Sequence, residues 1–121
     1  WLLECIAGMT DGSEDYESVV KKEAFEEAGL NLTELEFMLS YLSSPGGTTE
    51  RLFLYLAHAD LSQISAGIYG LDTEGEDIKT HIMHLDEALQ RLNSGEIDNA
   101  ATVICLQWLA LNRDRIRKKW A

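Results

Sequence analysis

The spacing of apolar and polar side chains along residues 15–28 predicts an amphipathic helix. Gly8 and Gly12 frame a turn before it, Ser13 can cap its amino end, and Gly29 is the expected left-handed stop. The apolar side of this helix is expected to contain Val19, Val20, Ala24 and Phe25. Its glutamates are then left to face outward or across a cleft.

Four further segments have the pattern of β-strands. Residues 1–7 are apolar at nearly every position, which predicts a strand buried on both faces. Residues 35–42 and 51–58 are joined by a glycine-containing loop and are expected to pair as antiparallel neighbours. Residues 78–85 alternate in polarity and predict one more strand.

Two helices are expected near the carboxyl end of the chain. Asp86 is placed to cap a short helix that extends to about Asn93 and is stopped by Gly95. Asp98 or Asn99 then caps a last helix. That helix ends in a cluster of basic side chains, namely Arg113, Arg115, Arg117, Lys118 and Lys119. We interpret them as complements to the negative end of the helix dipole, in preference to a grip on nucleic acid.

The net charge of the chain limits the kinds of molecule that it can bind. The 121 residues include 21 acidic and 10 basic side chains, for a formal net charge of -11, and the 45% hydrophobic content suits one domain. Such a surface repels nucleic acids and anionic membranes, which leaves small molecules, divalent cations or protein partners. A polyanionic substrate would therefore need a metal ion.

The two cysteines, Cys5 and Cys105, stand in apolar surroundings. This predicts buried free thiols and no disulfide framework, which fits a reducing, cytoplasmic setting. The sequence has no run of about 18 consecutive apolar residues and no signal-peptide pattern. We therefore expect no membrane association.

Glu23 and Glu27 are four positions apart, so a helix places their carboxylates on one face about one turn from each other. Oxygen ligands of this kind suit a hard divalent cation, Mg²⁺ or Mn²⁺, whose coordination phosphate oxygens can complete. The alternative is an ordinary solvated helix with Lys22 and Glu26 as a stabilising pair.

Residues 60–76 are expected to be irregular and contain a second acidic cluster. Glu74 and Glu76 lie there between glycines that could act as hinges, so a mobile loop could present a general base. A solvated loop without a catalytic role is the equally weighted alternative. His81 and His84 would point to opposite faces of the strand predicted at 78–85, so we assign them no catalytic role.

Residues 8–30 follow the spacing G-x5-E-x7-K-E-A-x-E-E-x-G-L. This pattern resembles the Nudix box, in which an arginine stands in place of Lys22 and a bulky aliphatic residue in place of Ala24. Lysine lacks the planar fork of arginine, so we expect looser orientation of the glutamates and no loss of function. The resemblance implies an α/β (α+β) fold, the Nudix α/β/α sandwich with a mixed β-sheet, over residues 1–121.

The whole chain is also similar to the catalytic domain of bacterial ADP-ribose pyrophosphatases. The loop SSPGGTTER places Pro45 15 positions after Leu30, where that subgroup has a proline. The subgroup also has an amino-terminal domain of several strands that supports a swapped dimer and helps hold the adenine. The abrupt start at Trp1 leads us to expect that this part is missing, and that the full-length protein is a homodimer.

The resemblance also implies roles for individual residues. Magnesium would be bound by Glu23, Glu27, the main-chain carbonyl of Ala7 and, from the acidic loop, Glu76. Glu26 would lie beside the metal ligands as a further catalytic residue, and Glu74 would be the general base. The substrate would be bound by Met9, Ser44, Pro45, Gly46 and Glu50.

The implied activity is Mg²⁺-dependent hydrolysis of the pyrophosphate bond of ADP-ribose, which yields AMP and ribose 5-phosphate. A pyrophosphatase for another nucleoside diphosphate sugar, such as GDP-mannose, is an alternative because the box recognises pyrophosphate and not base or sugar. A non-catalytic nucleotide-binding module of the same fold is the third interpretation. Such modules normally lack box carboxylates, and all of them are present in this sequence.

Overall fold

The computed structural model describes residues 1–13, 15–62, 64, 68–69 and 77–121. Within them, the helices are α1 (Tyr16–Ala28), α2 (Leu85–Asn93) and α3 (Ala100–Lys119), and the strands are β1 (Glu34–Leu42), β2 (Arg51–His58), β3 (Ile68–Tyr69) and β4 (Ile78–Lys79). Strand β1 pairs with β2, and β3 pairs antiparallel with β4. The mixture of helices and strands confirms the α+β class, whereas a sandwich around one mixed sheet stays a prediction.

The chain divides into two compact units. The first unit comprises Trp1–Cys5, Phe37–Tyr55 and Met83–Ala121, and the second comprises Ile6–Glu36 and Leu56–Ile82. Helices α2 and α3 therefore belong to the first unit, and α1, β3 and β4 belong to the second. No helix within the described ranges is long and apolar enough to cross a membrane.

Strands β1 and β2 confirm the predicted hairpin. Near one end, the Thr33 amide donates a hydrogen bond of 3.0 Å to the carbonyl of His58. Near the other end, the Ser43 amide donates one of 3.2 Å to the carbonyl of Glu50. Because early residues of one strand pair with late residues of the other, the hairpin is antiparallel.

The strand predicted at Trp1–Ala7 is absent, which corrects the sequence analysis. Its main chain bonds to helix side chains instead of a neighbouring strand: Asn99 Nδ2 donates to the carbonyl of Leu3 at 2.8 Å, and the Cys5 amide donates to Thr102 Oγ1 at 3.0 Å. Burial on both faces is also wrong, because the first side chain is 90% exposed. The main-chain groups of this segment can form hydrogen bonds either with a neighbouring strand or with side chains, and apolar composition alone does not distinguish the two.

Both cysteines are free thiols, as predicted, but they are not buried: Cys5 is exposed and Cys105 is half-buried. The two side chains interact. A hydrogen bond from Cys105, and a second from Thr102, lower the pKa of Cys5 to about 7. The same hydrogen bond, together with burial, raises the pKa of Cys105.

The strand predicted at 78–85 is limited to Ile78–Lys79. Within the described residues, its partner strand is Ile68–Tyr69, and the pairs are Ile68 with Lys79 and Tyr69 with Ile78. His81 and His84 therefore do not lie on a strand, and both are exposed. The expectation that His81 and His84 point to opposite faces of a strand is therefore wrong.

The same short strand, β3, corrects the expectation that residues 60–76 are irregular throughout. The acidic cluster within this range, including Glu74 and Glu76, lies outside the described residues. Their predicted roles as general base and loop ligand therefore stay predictions.

Helix α2 begins two residues earlier than expected. His84 is its N-cap, without a side-chain hydrogen bond, and Asp86 lies in the first turn instead of capping it. The Asp86 carboxylate accepts a hydrogen bond of 2.6 Å from Arg113, and this bond lowers the pKa of Asp86. The helix ends at Asn93 as predicted, and Gly95 follows with a left-handed φ of 85°.

Helix α3 has the predicted cap and the predicted basic end. The Asn99 side chain accepts a hydrogen bond of 3.2 Å from the Thr102 amide, which satisfies one of the free amides of the first turn. Arg117, Lys118 and Lys119 occupy the last turn, where cations are favoured by the helix dipole.

Candidate active site

Helix α1 is fixed at both ends by local chemistry. Asp15 is the N-cap, and its carboxylate accepts hydrogen bonds from the amide of Ser18 at 2.8 Å and its hydroxyl at 2.7 Å, which lower the pKa of Asp15. Ser13, the predicted cap, instead donates both its amide and its hydroxyl to Asp11. Gly29 ends the helix with a φ of 66°, as predicted.

The buried face of α1 differs from the predicted one. Val19 and Ala24 are buried, but Phe25 is 59% exposed, so its assignment to the apolar side is wrong. Glu27 occupies the buried arc in its place and is only 9% exposed. At 100° per residue, Phe25 lies roughly 150° around the helix from the middle of this arc. The carboxylate of Glu27 therefore does not face outward, and of the two predicted placements only the one across a cleft stays a prediction.

Glu27 is held at two points by other segments of the second unit. Its Oε2 accepts a hydrogen bond of 3.2 Å from the amide of Ala7. Its main-chain carbonyl accepts one of 3.3 Å from the hydroxyl of Thr80. These bonds give a low-exposure carboxylate a defined position next to the main chain before the turn.

Glu23 packs closely against Gly8. A Cβ atom added to Gly8 would collide with the Glu23 side chain, including Cγ and Cδ. Only glycine therefore allows the main chain to approach this carboxylate so closely. This gives a physical reason for the first glycine of the predicted motif.

The second unit thus brings together two carboxylates, one turn apart, with the main chain of Ala7 and Gly8. This donor set consists of oxygens and suits a hard divalent cation. No cluster of three or more His, Cys, Asp or Glu side chains that could hold a metal is found among the described residues. Glu76, the third carboxylate expected from the loop, is not among them. The metal-binding roles of Ala7, Glu23 and Glu27 stay predictions that this geometry supports.

The remaining box residues lie nearby in sequence. Glu26 is half-buried and Lys22 is exposed, while Glu14 lies outside the described residues. The catalytic role of Glu26 stays a prediction.

The predicted substrate-binding residues fall into different units. Met9 is in the second unit and is 93% exposed. The others belong to the first unit and are all exposed: Ser44, Pro45, Gly46 and Glu50. The Ser44 carbonyl closes the loop turn by accepting hydrogen bonds of 2.9 Å from the amides of Gly47 and Thr48. Their substrate-binding roles stay predictions.

Sequence reasoning missed one group beside Glu27. The Thr80 hydroxyl bonds to the carbonyl of Glu27 across 53 positions of sequence. Threonine in an alternating segment carries no signal for such a contact, so only the tertiary structure identifies it.

Comparisons with known proteins agree with the resemblance to ADP-ribose pyrophosphatases. Over all 121 residues the chain is 46% identical to a protein of Escherichia coli (strain K12) named ADP-ribose pyrophosphatase, and it covers 57% of that protein. It is 44% identical over 120 residues to an ADP-ribose pyrophosphatase of Haemophilus influenzae, 99% of the chain and 55% of the relative. A GDP-mannose pyrophosphatase of Cronobacter sakazakii is 37% identical over 110 residues, 91% of the chain and 56% of the relative.

The chain thus spans a little over half the length of the curated relatives that it matches. No protein-family model matches it. The resemblance to ADP-ribose pyrophosphatases that the sequence predicts is confirmed by these relatives.

Proposed function

We propose that the protein hydrolyses the pyrophosphate bond of ADP-ribose to AMP and ribose 5-phosphate, using Mg²⁺, for which Mn²⁺ could substitute. The observation that carries this proposal is the placement of Glu27 and Glu23 against Ala7 and Gly8. A carboxylate pair held against the main chain offers oxygen ligands of fixed geometry, as a pyrophosphatase metal site needs. The names of the relatives supply the substrate.

The residues of the second unit would act as follows. Glu23 and Glu27 hold the cation, with the main-chain carbonyl of Ala7 as a further ligand. The Ala7 amide keeps the Glu27 carboxylate in one orientation, because it donates to Oε2. Gly8 leaves the space that Glu23 occupies. When bound, Mg²⁺ supplies charge neutralisation at the phosphates and a more acidic water.

The residues outside the described ranges would complete the reaction. Glu74 would take the proton of the attacking water, and Glu76 would add a carboxylate from the loop. Proton removal by a positioned carboxylate accelerates such a step by about 10²- to 10⁴-fold. Glu26 is half-buried on α1 and would lie beside the proposed metal ligands Glu23 and Glu27 as a further catalytic residue.

Hydrolysis of GDP-mannose is the second candidate. Its support is the 37% identity to a GDP-mannose pyrophosphatase, below the 46% to the ADP-ribose enzymes. A non-catalytic module would not require the close packing of Glu23 on Gly8. We therefore place ADP-ribose first.

The deciding experiment is a substrate panel with the full-length protein and Mg²⁺. ADP-ribose, GDP-mannose and other nucleoside diphosphate sugars are compared by kcat/KM, with phosphate-containing products identified by chromatography. We expect ADP-ribose to rank first and chelation of the metal to abolish turnover. A higher kcat/KM for GDP-mannose would make GDP-mannose the preferred substrate. If no member of the panel is hydrolysed, the proposed pyrophosphatase activity is wrong.

Assembly and location are part of the same proposal. We expect the full-length protein to be a cytoplasmic homodimer, and residues 1–121 to associate more weakly. Light scattering on the full-length protein and on residues 1–121 measures the oligomeric state of each. Tight dimerisation of residues 1–121 at micromolar concentration would place the interface within them.

A further inference from the structure

One row of side chains at the start of α3 faces the segment Trp1–Cys5, called the amino-terminal segment below. Asn99, Thr102 and Cys105 are spaced by three residues, and this spacing keeps neighbouring members on one side of a helix. Asn99 donates a hydrogen bond of 2.8 Å to the carbonyl of Leu3, and Thr102 accepts one of 3.0 Å from the amide of Cys5. The segment therefore runs along the row, with Leu3 beside its first member and Cys5 beside its second.

The third member of the row meets Cys5. The Cys5 main chain is bonded to Thr102, and Cys105 follows one turn later on the same side of α3, so the two thiols are neighbours although they are 100 positions apart in sequence. The lowered pKa of Cys5, whose main cause is Cys105, agrees with this placement. Cys5 is exposed and Cys105 is half-buried, so solvent reagents reach the first thiol more readily than the second. An accessible thiol with a partner thiol beside it is the arrangement of an attacking and a resolving cysteine.

We propose that Cys5 and Cys105 are an oxidative modification site that closes to an intramolecular disulfide on reaction with a low-molecular-weight disulfide such as oxidised glutathione. The residues of this site lie in the first unit, although Cys5 is two positions before Ala7, and the test below does not depend on pyrophosphatase activity. The hydrogen bonds of Leu3 and Cys5 to α3 hold the two sulfurs together before oxidation.

The chemistry proceeds in two exchange steps. The Cys5 thiolate attacks one sulfur of oxidised glutathione, whose S–S bond breaks, and one glutathione leaves as thiolate. The Cys105 thiolate then attacks the Cys5 sulfur of the mixed disulfide and displaces the second glutathione. The two protons of the protein thiols end on the two glutathione thiols. The protein loses two electrons, and the glutathione disulfide gains them.

The test counts thiols on the wild-type protein after incubation with oxidised glutathione. Samples are unfolded, alkylated and weighed by mass spectrometry. We expect both alkylatable thiols of this pair to disappear without a glutathione adduct or a covalent dimer, and dithiothreitol to restore both. The thermal midpoint of the oxidised protein should rise by about 5–15 °C, because the link closes a long loop in the unfolded chain.

Two controls separate adjacent thiols from chance encounter. Oxidation of the unfolded chain in guanidinium chloride should close the disulfide about tenfold more slowly or worse, because a long loop must then close at random. Cys105→Ser should trap a stable glutathione adduct on Cys5 without a rise in the midpoint. A lasting adduct on the wild type, a covalent dimer, two unreacted thiols, or equal rates in the folded and unfolded chains would each overturn the proposal.

Discussion

Helices α1 and α3 both bury polar side chains, but of different kinds. The buried arc of α1 contains Glu27, whereas the packed face of α3 contains Thr102, which is 5% exposed. The Thr102 hydroxyl is neutral and is satisfied by the amide of Cys5. A hydrogen bond from an amide orients a carboxylate without neutralising it, as between Ala7 and Glu27. The comparison teaches that the Thr102 contact on α3 joins two neutral groups, while the Ala7 contact on α1 orients a charged group, as the proposed cation site requires.

The largest effect on turnover is expected at Glu27 of α1. Glu27→Gln keeps an oxygen that can accept the Ala7 hydrogen bond but removes the negative charge. We expect kcat to fall by about 10³- to 10⁴-fold, which corresponds to several kcal/mol of transition-state stabilisation, while the fold is retained. Steady-state kinetics at saturating Mg²⁺ and circular dichroism measure both.

The matched control for Glu27 is Glu17→Gln, which removes the same charge from an exposed position in the first turn of α1. Its turnover should stay near wild type. If Glu27→Gln also stays within about threefold of wild type, Glu27 does not hold the metal.

The next effects concern the acidic loop. Glu74→Gln should lower kcat by roughly 10²- to 10⁴-fold with little change in the Mg²⁺ requirement, because it removes a base. Glu76→Gln should instead raise the Mg²⁺ concentration needed, and added metal should restore part of the rate. Metal titration of both variants distinguishes the roles. Two variants with the same metal-affinity defect, or none with a defect, would place the base elsewhere.

Gly8→Ala tests the close approach next to Glu23. The added Cβ collides with the glutamate side chain, so we expect a loss of about 1–3 kcal/mol in the free energy of unfolding. Gly46→Ala is the control for stability, since a Cβ there meets nothing within 4 Å. Chemical denaturation measures both. Equal stability of the two variants would mean that Glu23 moves away at no cost.

The smallest effect is expected on α3. Thr102→Val keeps the shape but removes the acceptor of the Cys5 amide, so the free energy of unfolding should fall by about 1 kcal/mol without loss of kcat. Thr102→Ser, which keeps the hydroxyl, should retain most of the stability. A turnover defect in the valine variant would contradict the purely structural role of the Thr102 hydrogen bond.

The sequence predicted the elements whose causes are local. The end of α1 at Gly29, the β1–β2 hairpin and the cap at Asn99 depend on neighbouring residues, and all three are confirmed. Periodicity also located Glu23 and Glu27 on one helix, and their spacing indicated a metal site.

The failures share a different cause. The segment Trp1–Ala7 has the composition of a buried strand, but its main-chain partners come from side chains about 96 positions away. Phe25 was assigned to the apolar side by residue type, although the helical angle places Glu27 in the buried arc. Neither Thr80 nor the contact between the two thiols leaves a local pattern, since each depends on distant parts of the chain.

The attachment of the amino-terminal segment to α3 also sets an order for folding during synthesis. The Cys5 amide and its partner Thr102 are 97 positions apart. At a synthesis rate of about 5–20 residues per second, Cys5 leaves the ribosome's catalytic centre roughly 5–20 s before Thr102 is made. The hairpin of β1 and β2 can close within that interval, since its contacts are local. The segment around Leu3 and Cys5 therefore gains these hydrogen bonds only after α3 has been made.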